Sequence, residues 1–247
     1  MLDRLRIKIF ADGADIKSMK ALAANPRVKG FTTNPTLMRK ANITDYVAFA
    51  HEVLAAIPNH PVSFEVFADE FAEMEAQALE IASWGKNVYV KIPVTNTKSA
   101  SAMPLVQRLS KRGVRLNVTA VFTLEQVEAI TAALDAGTPA VISVFAWRIA
   151  DTGVDPMPLM AQAKKITLAK PKAELLWASP RELINIFHAD SIGCDIITVT
   201  PDVLAKLDLV GKDLDEYSLE TVKMFYKDAS AAGYSIPPGT RRAARAG

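Results

Sequence analysis

The sequence is poor in cysteine and histidine. Cys194 is the only cysteine among 247 residues, which rules out a disulfide framework within the chain and most cysteine-built metal sites. His51, His60 and His188 lie far apart, without the spacing of metal ligands. We therefore predict no metal site. A single cysteine is also typical of proteins from a reducing compartment, so we expect a cytoplasmic protein.

Long apolar runs and a strong charge imbalance are missing as well. The chain has no apolar run of about 18 residues, so we predict no membrane span. Its first residues lack the apolar region and cleavage site of a secretory signal. Lysine and arginine total 29 against 27 aspartates and glutamates. This balance predicts neither nucleic acid nor a membrane as partner, and an anionic substrate would need a local cluster of cations.

The composition that remains is that of a folded domain. Half of the residues are hydrophobic and 23% are charged. A chain of this length fits two small domains or a single barrel of about 250 residues. Residues 237–247 are small, basic and led by proline, and we predict that they form a disordered tail.

Short β-branched or apolar runs alternate along the chain with longer stretches of helical period. The predicted strands are 7–12, 28–34, 62–68, 88–94, 115–122, 140–147, 173–179 and 195–201. Helices are predicted at about 14–24, 43–57, 70–84, 101–112, 123–136, 156–170 and 180–191, then near 202–207 and 217–232. In the helix at 123–136, Thr123 and Gln126 predict a capping box at the start and Gly137 a left-handed cap at the end.

Eight β–α units without a break in composition predict a (β/α)8 TIM barrel, an α/β fold. We expect one domain over residues 1–236, including an extra C-terminal helix at about 217–232. The alternative is a doubly wound open sheet. That fold usually has a GxGxxG first turn, whereas the first turn here reads ADGAD. The sequence therefore favours the barrel.

Polar side chains interrupt the apolar strands in their middle or at their C-terminal ends. They are Asp12, Asn34, Glu65, Lys91, Asn117, Thr119 and Ser143, followed by Arg148, Ser179 and Arg181 after strands six and seven. In a barrel, the C-terminal ends of all strands meet at one mouth, where the active sites of this fold lie. We therefore expect these side chains to surround a single site.

Lys91 is the most informative of these residues, because its neighbours in VYVKIPV are apolar. Removal of water favours a neutral amine, which can attack a ketone and form a Schiff base. Asp12 and Glu65 would supply the proton transfers that this chemistry needs. Alternatively, Lys91 reaches solvent and pairs with Glu65, and Asp12 caps the first helix. Thr119 would bind a water with Glu65, or is an ordinary strand residue.

Arg148, Ser179 and Arg181 predict an anion site near the same mouth. Arginine binds phosphate through two parallel hydrogen bonds. Ser179 and Arg181 are predicted to start a helix, where free N–H groups favour an anion. The alternative is that both arginines lie on the surface and pair with nearby carboxylates such as Asp151.

Six segments match the motifs of one known family. They are FADGAD at 10–15, TTNPTL at 32–37, SFEVFAD at 63–69, VYVKIPVT at 88–95, LNVTAVF at 116–122 and SVFAWR at 143–148. Together they resemble the transaldolase family of class I aldolases, and more narrowly its short transaldolase and fructose-6-phosphate aldolase-like group. The resemblance runs from about residue 7 to 236. TNP and the VKIP lysine together are specific to that family, and SVFAWR is looser.

The resemblance implies a role for each site residue. Lys91 would form the Schiff base, Asp12 would move protons during C–C cleavage, and Glu65 and Thr119 would bind the catalytic water. The substrate would be bound by Thr33, Asn34, Asn117, Ser143 and Phe145, and its phosphate by Arg148, Ser179 and Arg181. The resemblance also implies sugar phosphate substrates of the pentose phosphate pathway, a homo-oligomer and no cofactor, since an imine activates a carbonyl without a Lewis acid.

Two positions distinguish the activities within this group. The aldolases that release dihydroxyacetone carry glutamine on strand three and tyrosine on strand six, where this chain has Glu65 and Phe145. The resemblance therefore implies a transaldolase, which transfers a dihydroxyacetone unit between a ketose phosphate and an aldose phosphate. An aldolase releasing free dihydroxyacetone, or a transferase for an unusual sugar, is the alternative. Val144 and Trp147 depart from the proline and glycine usual at their positions.

Overall fold

The computed structural model describes residues 2–236, of which residues 2–207 and those from 208 onward form two compact units. The tail predicted at 237–247 lies outside the described residues. Each unit is built from elements that the sequence pattern largely predicts.

Eight parallel strands close into a barrel in chain order. They are β1 (Lys8–Asp12), β2 (Val28–Thr32), β3 (Val62–Glu65), β4 (Val88–Pro93), β5 (Leu116–Val121), β6 (Ala140–Val144), β7 (Ala173–Trp177) and β8 (Ile196–Val199). β1 pairs with both β2 and β8, so the sheet has no free edge. The predicted (β/α)8 barrel is confirmed, and the open sheet is excluded.

Helices lie between the strands, as their apolar stripes require. They are α1 (Ile16–Ala23), α2 (Pro35–Lys40), α3 (Tyr46–Ala56), α4 (Phe71–Ser83), α5 (Met103–Lys111), α6 (Leu124–Ala133), α7 (Ala146–Ala150), α8 (Pro156–Thr167), α9 (Ile184–Ser191) and α10 (Pro201–Ala205), with 3-10 turns at Leu2–Arg4 and Lys206–Leu209. The second unit contains α11 (Leu214–Ala231). Within residues 2–236, no helix combines the length and the apolar character needed to cross a membrane.

All eight predicted strands are present, and every strand except β1 ends earlier than predicted at the site end of the barrel. The prediction of a strand through residue 147 was wrong, because β6 ends at Val144 and α7 begins at Ala146. An uninterrupted apolar run does not distinguish a buried strand from a buried helix, which explains the error. Likewise β2 ends at Thr32, because Asn34 is the N-cap of α2 and Pro35 lies in its first turn.

The start of α6 agrees with its prediction, whereas its end does not. Thr123 and Gln126 form the predicted capping box. The helix ends at Ala133, and Leu134 already has extended backbone, so Gly137 is not its cap. The amide of Gly137 instead donates to Asp135 Oδ1 at 2.8 Å, in a turn after the helix. A local side-chain acceptor replaces the left-handed cap that the glycine suggested.

Apolar side chains fill the barrel interior beneath the polar residues. The interior cluster consists of Phe10, Val141, Leu176, Ala178 and Ile196. The Phe10 ring lies directly over Gly30, where an added Cβ would come within 2.5 Å of the ring. Position 30 on β2 therefore requires glycine, because the Phe10 ring occupies the space inside the barrel that a side chain there would need. A larger residue at position 30 would displace Phe10 toward the site above it.

The helix α11 carries large apolar residues that remain exposed. Asp213 caps its N-terminus by accepting from the amides of Asp215 and Glu216. None of its residues is buried, and those exposed include Leu219, Val222, Met224, Phe225 and Tyr226. The predicted C-terminal helix is confirmed, and it begins three residues before the predicted start at 217.

Candidate active site

A cavity of about 410 Å³ lies at the C-terminal ends of the strands. Its lining includes residues from every strand or from the loop that follows it: Asp12, Thr32, Asn34, Glu65, Lys91, Asn117, Thr119, Phe122, Ser143, Phe145, Arg148, Ser179 and Thr198. The volume falls in the range of small-molecule sites, about 300–1,000 Å³. Of the predicted site residues, the structure brings all but Thr33 and Arg181 to this cavity.

The amine of Lys91 lies deep in this cavity, beside a carboxylate. Glu65 and Lys91 are opposite each other on β3 and β4, and Lys91 Nζ lies 3.2 Å from Glu65 Oε2. The same amine donates to the backbone carbonyl of Thr33 at 3.0 Å. Only 9% of the Lys91 side chain is exposed, so the lysine does not extend to bulk solvent. The amine therefore has a fixed position from which it can reach a bound carbonyl group.

Asp12 lies at the end of β1, three strands around the barrel from Lys91 on β4. Burial raises the pKa of its carboxyl group, while the charge of Lys91 and a hydrogen bond from Thr32 lower it; the net shift is upward. Thr32 Oγ1 donates to Asp12 at 2.8 Å and lies 2.6 Å from Thr198 Oγ1. The N-cap of α1 is Asp15, so Asp12 is not used to cap that helix. A carboxyl group with a raised pKa takes up a proton from substrate more readily than an ordinary aspartate does.

Asn117 belongs to a row of buried polar side chains that crosses three strands. Ser143 Oγ donates to Asn117 Oδ1 at 2.6 Å, and Asn117 Nδ2 donates to Ser63 Oγ at 3.0 Å. Each of the three is at most 3% exposed. These hydrogen bonds fix the amide orientation, so Asn117 and Ser143 present defined donors and acceptors to the cavity.

Thr119 is placed by an irregularity in β5. The register between β5 and β6 shifts between Val118 and Val121, and Ala120 has a left-handed backbone with φ of 61°. Such a conformation is rare for a residue with a side chain. Both Thr119 and Ala120 line the cavity. The bulge thus sets the direction of the Thr119 side chain, a common use of strand bulges beside active sites.

The TNP motif serves the site in two different ways. Asn34 Oδ1 accepts from the amide of Leu37 at 3.0 Å and so caps α2. Its Nδ2 makes no hydrogen bond within the described chain, and Asn34 is one of the residues that line the cavity. Thr33 is fully buried, and its hydroxyl donates to the Ser63 carbonyl at 2.9 Å. Thr33 therefore acts on the site through its carbonyl group, which accepts from Lys91.

Aromatic rings set the position of Arg148. The Phe145 ring stacks on Phe122 with centroids 5.8 Å apart, and the Arg148 guanidinium lies 5.4 Å from the Phe145 centroid. A cation–π contact of this kind restrains the guanidinium at the cavity wall. Val144 is fully buried, and Trp147 is not among the cavity-lining residues. The two departures from the family pattern therefore leave the Arg148 side of the cavity open.

The region after β7 differs from its prediction. The next helix begins at Ile184, so Ser179 and Arg181 precede it and do not form its N-terminus. The amides of Arg181 and Glu182 already donate to Asn185 Oδ1, at 3.1 and 3.0 Å. These amides are therefore not free for an anion. Ser179 has a left-handed backbone, with φ of 59°, and lines the cavity, whereas the exposed Arg181 does not.

Several residues of the site are absent from the sequence prediction. Thr32, Thr198 and Phe122 line the cavity, and Ser63 supports Asn117. Threonine and phenylalanine are ordinary strand residues, so nothing in their type indicates a site. Thr32 lies two residues after Gly30, and Thr198 lies two residues after Ile196. Residues two apart in a strand share a face, and this spacing alone places both threonines on the inner face of the barrel. No group of three metal-binding side chains occurs in the described part of the chain.

Comparison with known proteins identifies the family. Residues 9–236 match the family model described as transaldolase/fructose-6-phosphate aldolase. A "Probable transaldolase" of Dehalococcoides mccartyi is 38% identical over 81% of this chain and 90% of its own. A "Probable transaldolase" of Brucella anthropi is 33% identical over 93% of this chain and 100% of its own.

The chain belongs to the transaldolase/fructose-6-phosphate aldolase family. It is thus an enzyme of the group that transfers aldehyde or ketone residues. Solved structures of lower identity share only the fold. A mandelate racemase/muconate lactonizing enzyme-like protein from Rubrobacter xylanophilus aligns with a TM-score of 0.57 at 10% identity, over 82% of this chain and 56% of that one. The 2,3-dimethylmalate lyase aligns with a TM-score of 0.56 at 14% identity, over 98% and 89%.

Proposed function

We propose that the protein is a transaldolase that moves a dihydroxyacetone unit from a ketose phosphate to an aldose phosphate through a Schiff base on Lys91. The observation that carries the proposal is the buried Lys91 amine, 3.2 Å from the Glu65 carboxylate at the base of a sugar-sized cavity. The donors would be fructose 6-phosphate, which the family description names, or sedoheptulose 7-phosphate, which the sequence resemblance implies.

In the first step, Lys91 passes a proton to Glu65, and the resulting amine attacks the C2 carbonyl group of the donor. The carbinolamine loses its hydroxyl group as water, and Glu65 passes the required proton through a water bound with Thr119. Glu65 is suited to this task because its carboxylate lies beside the nitrogen that forms the bond. Asn34, Asn117 and Ser143 bind the hydroxyl groups of the three-carbon unit.

In the second step, Asp12 accepts the proton of the C4 hydroxyl group. The C3–C4 bond breaks, its electron pair forms the enamine on Lys91, and the aldose phosphate leaves. The acceptor aldehyde then undergoes the reverse reaction, and Asp12 returns the proton to the new hydroxyl group. Because burial raises its pKa, Asp12 is adapted to both directions of transfer.

Transfer without release requires that the enamine is not protonated before an acceptor arrives. Phe145 lines the cavity with an apolar ring and offers no phenolic hydroxyl group to position water or donate a proton. With erythrose 4-phosphate present, fructose 6-phosphate should therefore give sedoheptulose 7-phosphate quickly. Without an acceptor, free dihydroxyacetone should appear slowly.

We expect Phe145→Tyr to raise the ratio of release to transfer by about tenfold, since a positioned proton donor contributes factors of this order or more. Glu65→Gln should add to the effect. Coupled assays of dihydroxyacetone and sedoheptulose 7-phosphate measure the two rates. Phe145→Leu, which alters the ring without adding a hydroxyl group, is the control and should not favour release. Wild-type release as fast as transfer would instead identify an aldolase.

We propose that Arg148 binds the phosphate group, because it is the predicted phosphate-binding arginine that lines the cavity. A charge-assisted hydrogen bond contributes roughly 1.5–3 kcal/mol, so Arg148→Ala should raise the KM for fructose 6-phosphate about tenfold or more. Arg181→Ala is the matched control, with an expected change below about threefold. Unphosphorylated fructose should show no such difference. A larger effect of Arg181→Ala would place the phosphate elsewhere.

We also propose that the enzyme is a cytoplasmic homo-oligomer of the pentose phosphate pathway. The single cysteine, Cys194, is buried, and burial raises the pKa of its thiol to about 12, which disfavours the reactive thiolate. A chain with one such cysteine forms no internal disulfide, which fits a reducing compartment. The exposed apolar side chains of α11, among them Phe225 and Val222, favour contact with a second copy of the chain.

A further inference from the structure

We infer that Tyr46 is a positioning residue that fixes the catalytic carboxylate of Glu65 by binding its backbone; this inference rests on the proposed function. Tyr46 lies at the start of α3, on the outer side of the barrel, and matches none of the motifs that indicate the family. Its hydroxyl group makes two hydrogen bonds, both to Glu65.

The need for Tyr46 arises from the early end of β2. This strand pairs with β3 only at Phe31–Val62 and Thr32–Ser63. The chain then turns into α2, although β3 continues to Glu65. In a strand, the N–H and C=O groups of alternate residues point to the same side. The Ser63 carbonyl accepts from the Thr33 amide, so the groups of Glu65 point toward the place that β2 has left.

The Tyr46 hydroxyl group takes the place of the missing strand. It accepts from the Glu65 amide at 2.8 Å and donates to the Glu65 carbonyl at 3.0 Å. A single hydroxyl group thus satisfies both backbone groups of the last residue of β3. Buried backbone groups without partners are costly, so removing the hydroxyl group would favour a shift of the strand end.

Aromatic packing fixes the Tyr46 ring. Phe64, Phe67 and Trp84 contact it edge to face, with centroids 6.2, 4.4 and 5.9 Å away. Burial raises the pKa of the phenol well above its ordinary value. The hydroxyl group therefore stays protonated at neutral pH and remains a hydrogen-bond donor. The hydroxyl group therefore has one position and one protonation state.

Fixing the backbone of Glu65 fixes the geometry of the reaction. The Glu65 carboxylate extends from this backbone to the Lys91 amine. On the side of β3 away from Tyr46, the Val66 amide donates to the Lys91 carbonyl at 3.1 Å and holds β3 to β4. A shift of the strand end on the Tyr46 side would move Glu65 Oε2 away from the reacting nitrogen. Tyr46 touches no substrate, because it does not line the active-site cavity.

Kinetics of Tyr46→Phe test this role. The kcat of transfer should fall on the order of 10–100-fold, as for misplacement of a catalytic group by about 1 Å. The KM for fructose 6-phosphate should stay within about twofold, because ground-state contacts remain. Tyr89→Phe is the matched control: Tyr89 is a partly buried tyrosine of β4 with no hydrogen bond from its hydroxyl group to the described chain, and its loss should change kcat less than about twofold.

A double-mutant cycle with Glu65→Gln separates positioning from general stability. If Tyr46 acts through Glu65, Tyr46→Phe should lower kcat far less in the Glu65→Gln background than in the wild type. An equal factor in both backgrounds would overturn the inference.

Amide hydrogen exchange gives a readout that needs no activity. In Tyr46→Phe, exchange should rise in the segment 62–68 and stay unchanged in β8. A rise throughout the chain, or no rise at 62–68, would overturn the role of Tyr46. Failure of the wild type to form an imine with fructose 6-phosphate would instead overturn the proposed function and leave the exchange result decisive for Tyr46.

Discussion

Replacing Lys91 by alanine should abolish transfer, with kcat reduced roughly 10⁴–10⁶-fold, as found when a covalent nucleophile is removed. No other lysine lines the cavity, so no second amine within the described residues can form the imine there. The substitution also relieves Glu65 of its ion pair and leaves one carboxylate without its partner. We expect the barrel to persist, because Glu65 is partly exposed to the cavity and can be hydrated.

Lys164→Ala is the matched control for Lys91→Ala. Lys164 is also a partly buried lysine, and its ion pair with Asp195, at 2.6 Å, lies away from the cavity. Its loss should lower the free energy of unfolding while kcat stays within about twofold. Steady-state kinetics measure the kcat of both variants, and circular dichroism shows whether each variant is folded. Transfer by Lys91→Ala within tenfold of wild type would contradict the assignment of the nucleophile.

Asp12→Asn should lower kcat about 10²–10⁴-fold, the usual contribution of a general acid–base group. The amide keeps the shape of the carboxyl group and can still accept from Thr32, but it cannot take the proton from the C4 hydroxyl group. Because imine formation depends on Lys91 and Glu65, trapping of the imine should survive. Loss of trapping together with turnover would assign Asp12 to the first step instead.

The same substitution should stabilise the protein at neutral pH. Burial raises the folded pKa of Asp12 above its ordinary value of 3.8, so ionisation costs free energy in the folded state. This cost is absent below the ordinary pKa and develops as pH rises through the folded pKa. The free energy of unfolding of Asp12→Asn should therefore exceed that of wild type at about pH 7.5, and the difference should close below about pH 4.

Denaturant unfolding at both pH values checks this sign. Asp15→Asn is the control, because Asp15 caps α1 and lies outside the cavity lining. Asparagine is a good N-cap, so this variant should keep both stability and kcat. An Asp12→Asn protein less stable than wild type at neutral pH would mean that the hydrogen bond from Thr32 and the attraction to the Lys91 charge outweigh the desolvation of the carboxylate.

The barrel was predictable because its strands differ from its helices in period and composition. The site was predictable to the extent that polar residues stand out in apolar strands: Lys91 and Glu65 are unusual in such surroundings, and the barrel places them at one mouth. Thr198 and Thr32 are ordinary strand residues. Their link to Asp12 depends on strand pairing far apart in sequence, which no local pattern reveals.

The region around Ser179 shows a second limit of sequence analysis. The spacing Ser-x-Arg predicted two phosphate ligands at a helix start, but Asn185 binds the amides of Arg181 and Glu182 and delays the helix to Ile184. The same residues would permit other caps as well, so the sequence does not show that Asn185 forms this one. Tyr46 was not predictable for a related reason. Its hydroxyl group binds the backbone of Glu65, which lacks a strand partner because β2 ends early.

Borohydride trapping of the wild-type protein with fructose 6-phosphate, followed by mass spectrometry of its peptides, shows whether Lys91 forms the imine. We expect reduction of an imine to a secondary amine that adds one dihydroxyacetone or hexose phosphate unit to Lys91, with none on Lys164 or another lysine. Labelling at a different lysine, or labelling that persists in Lys91→Ala, would contradict it.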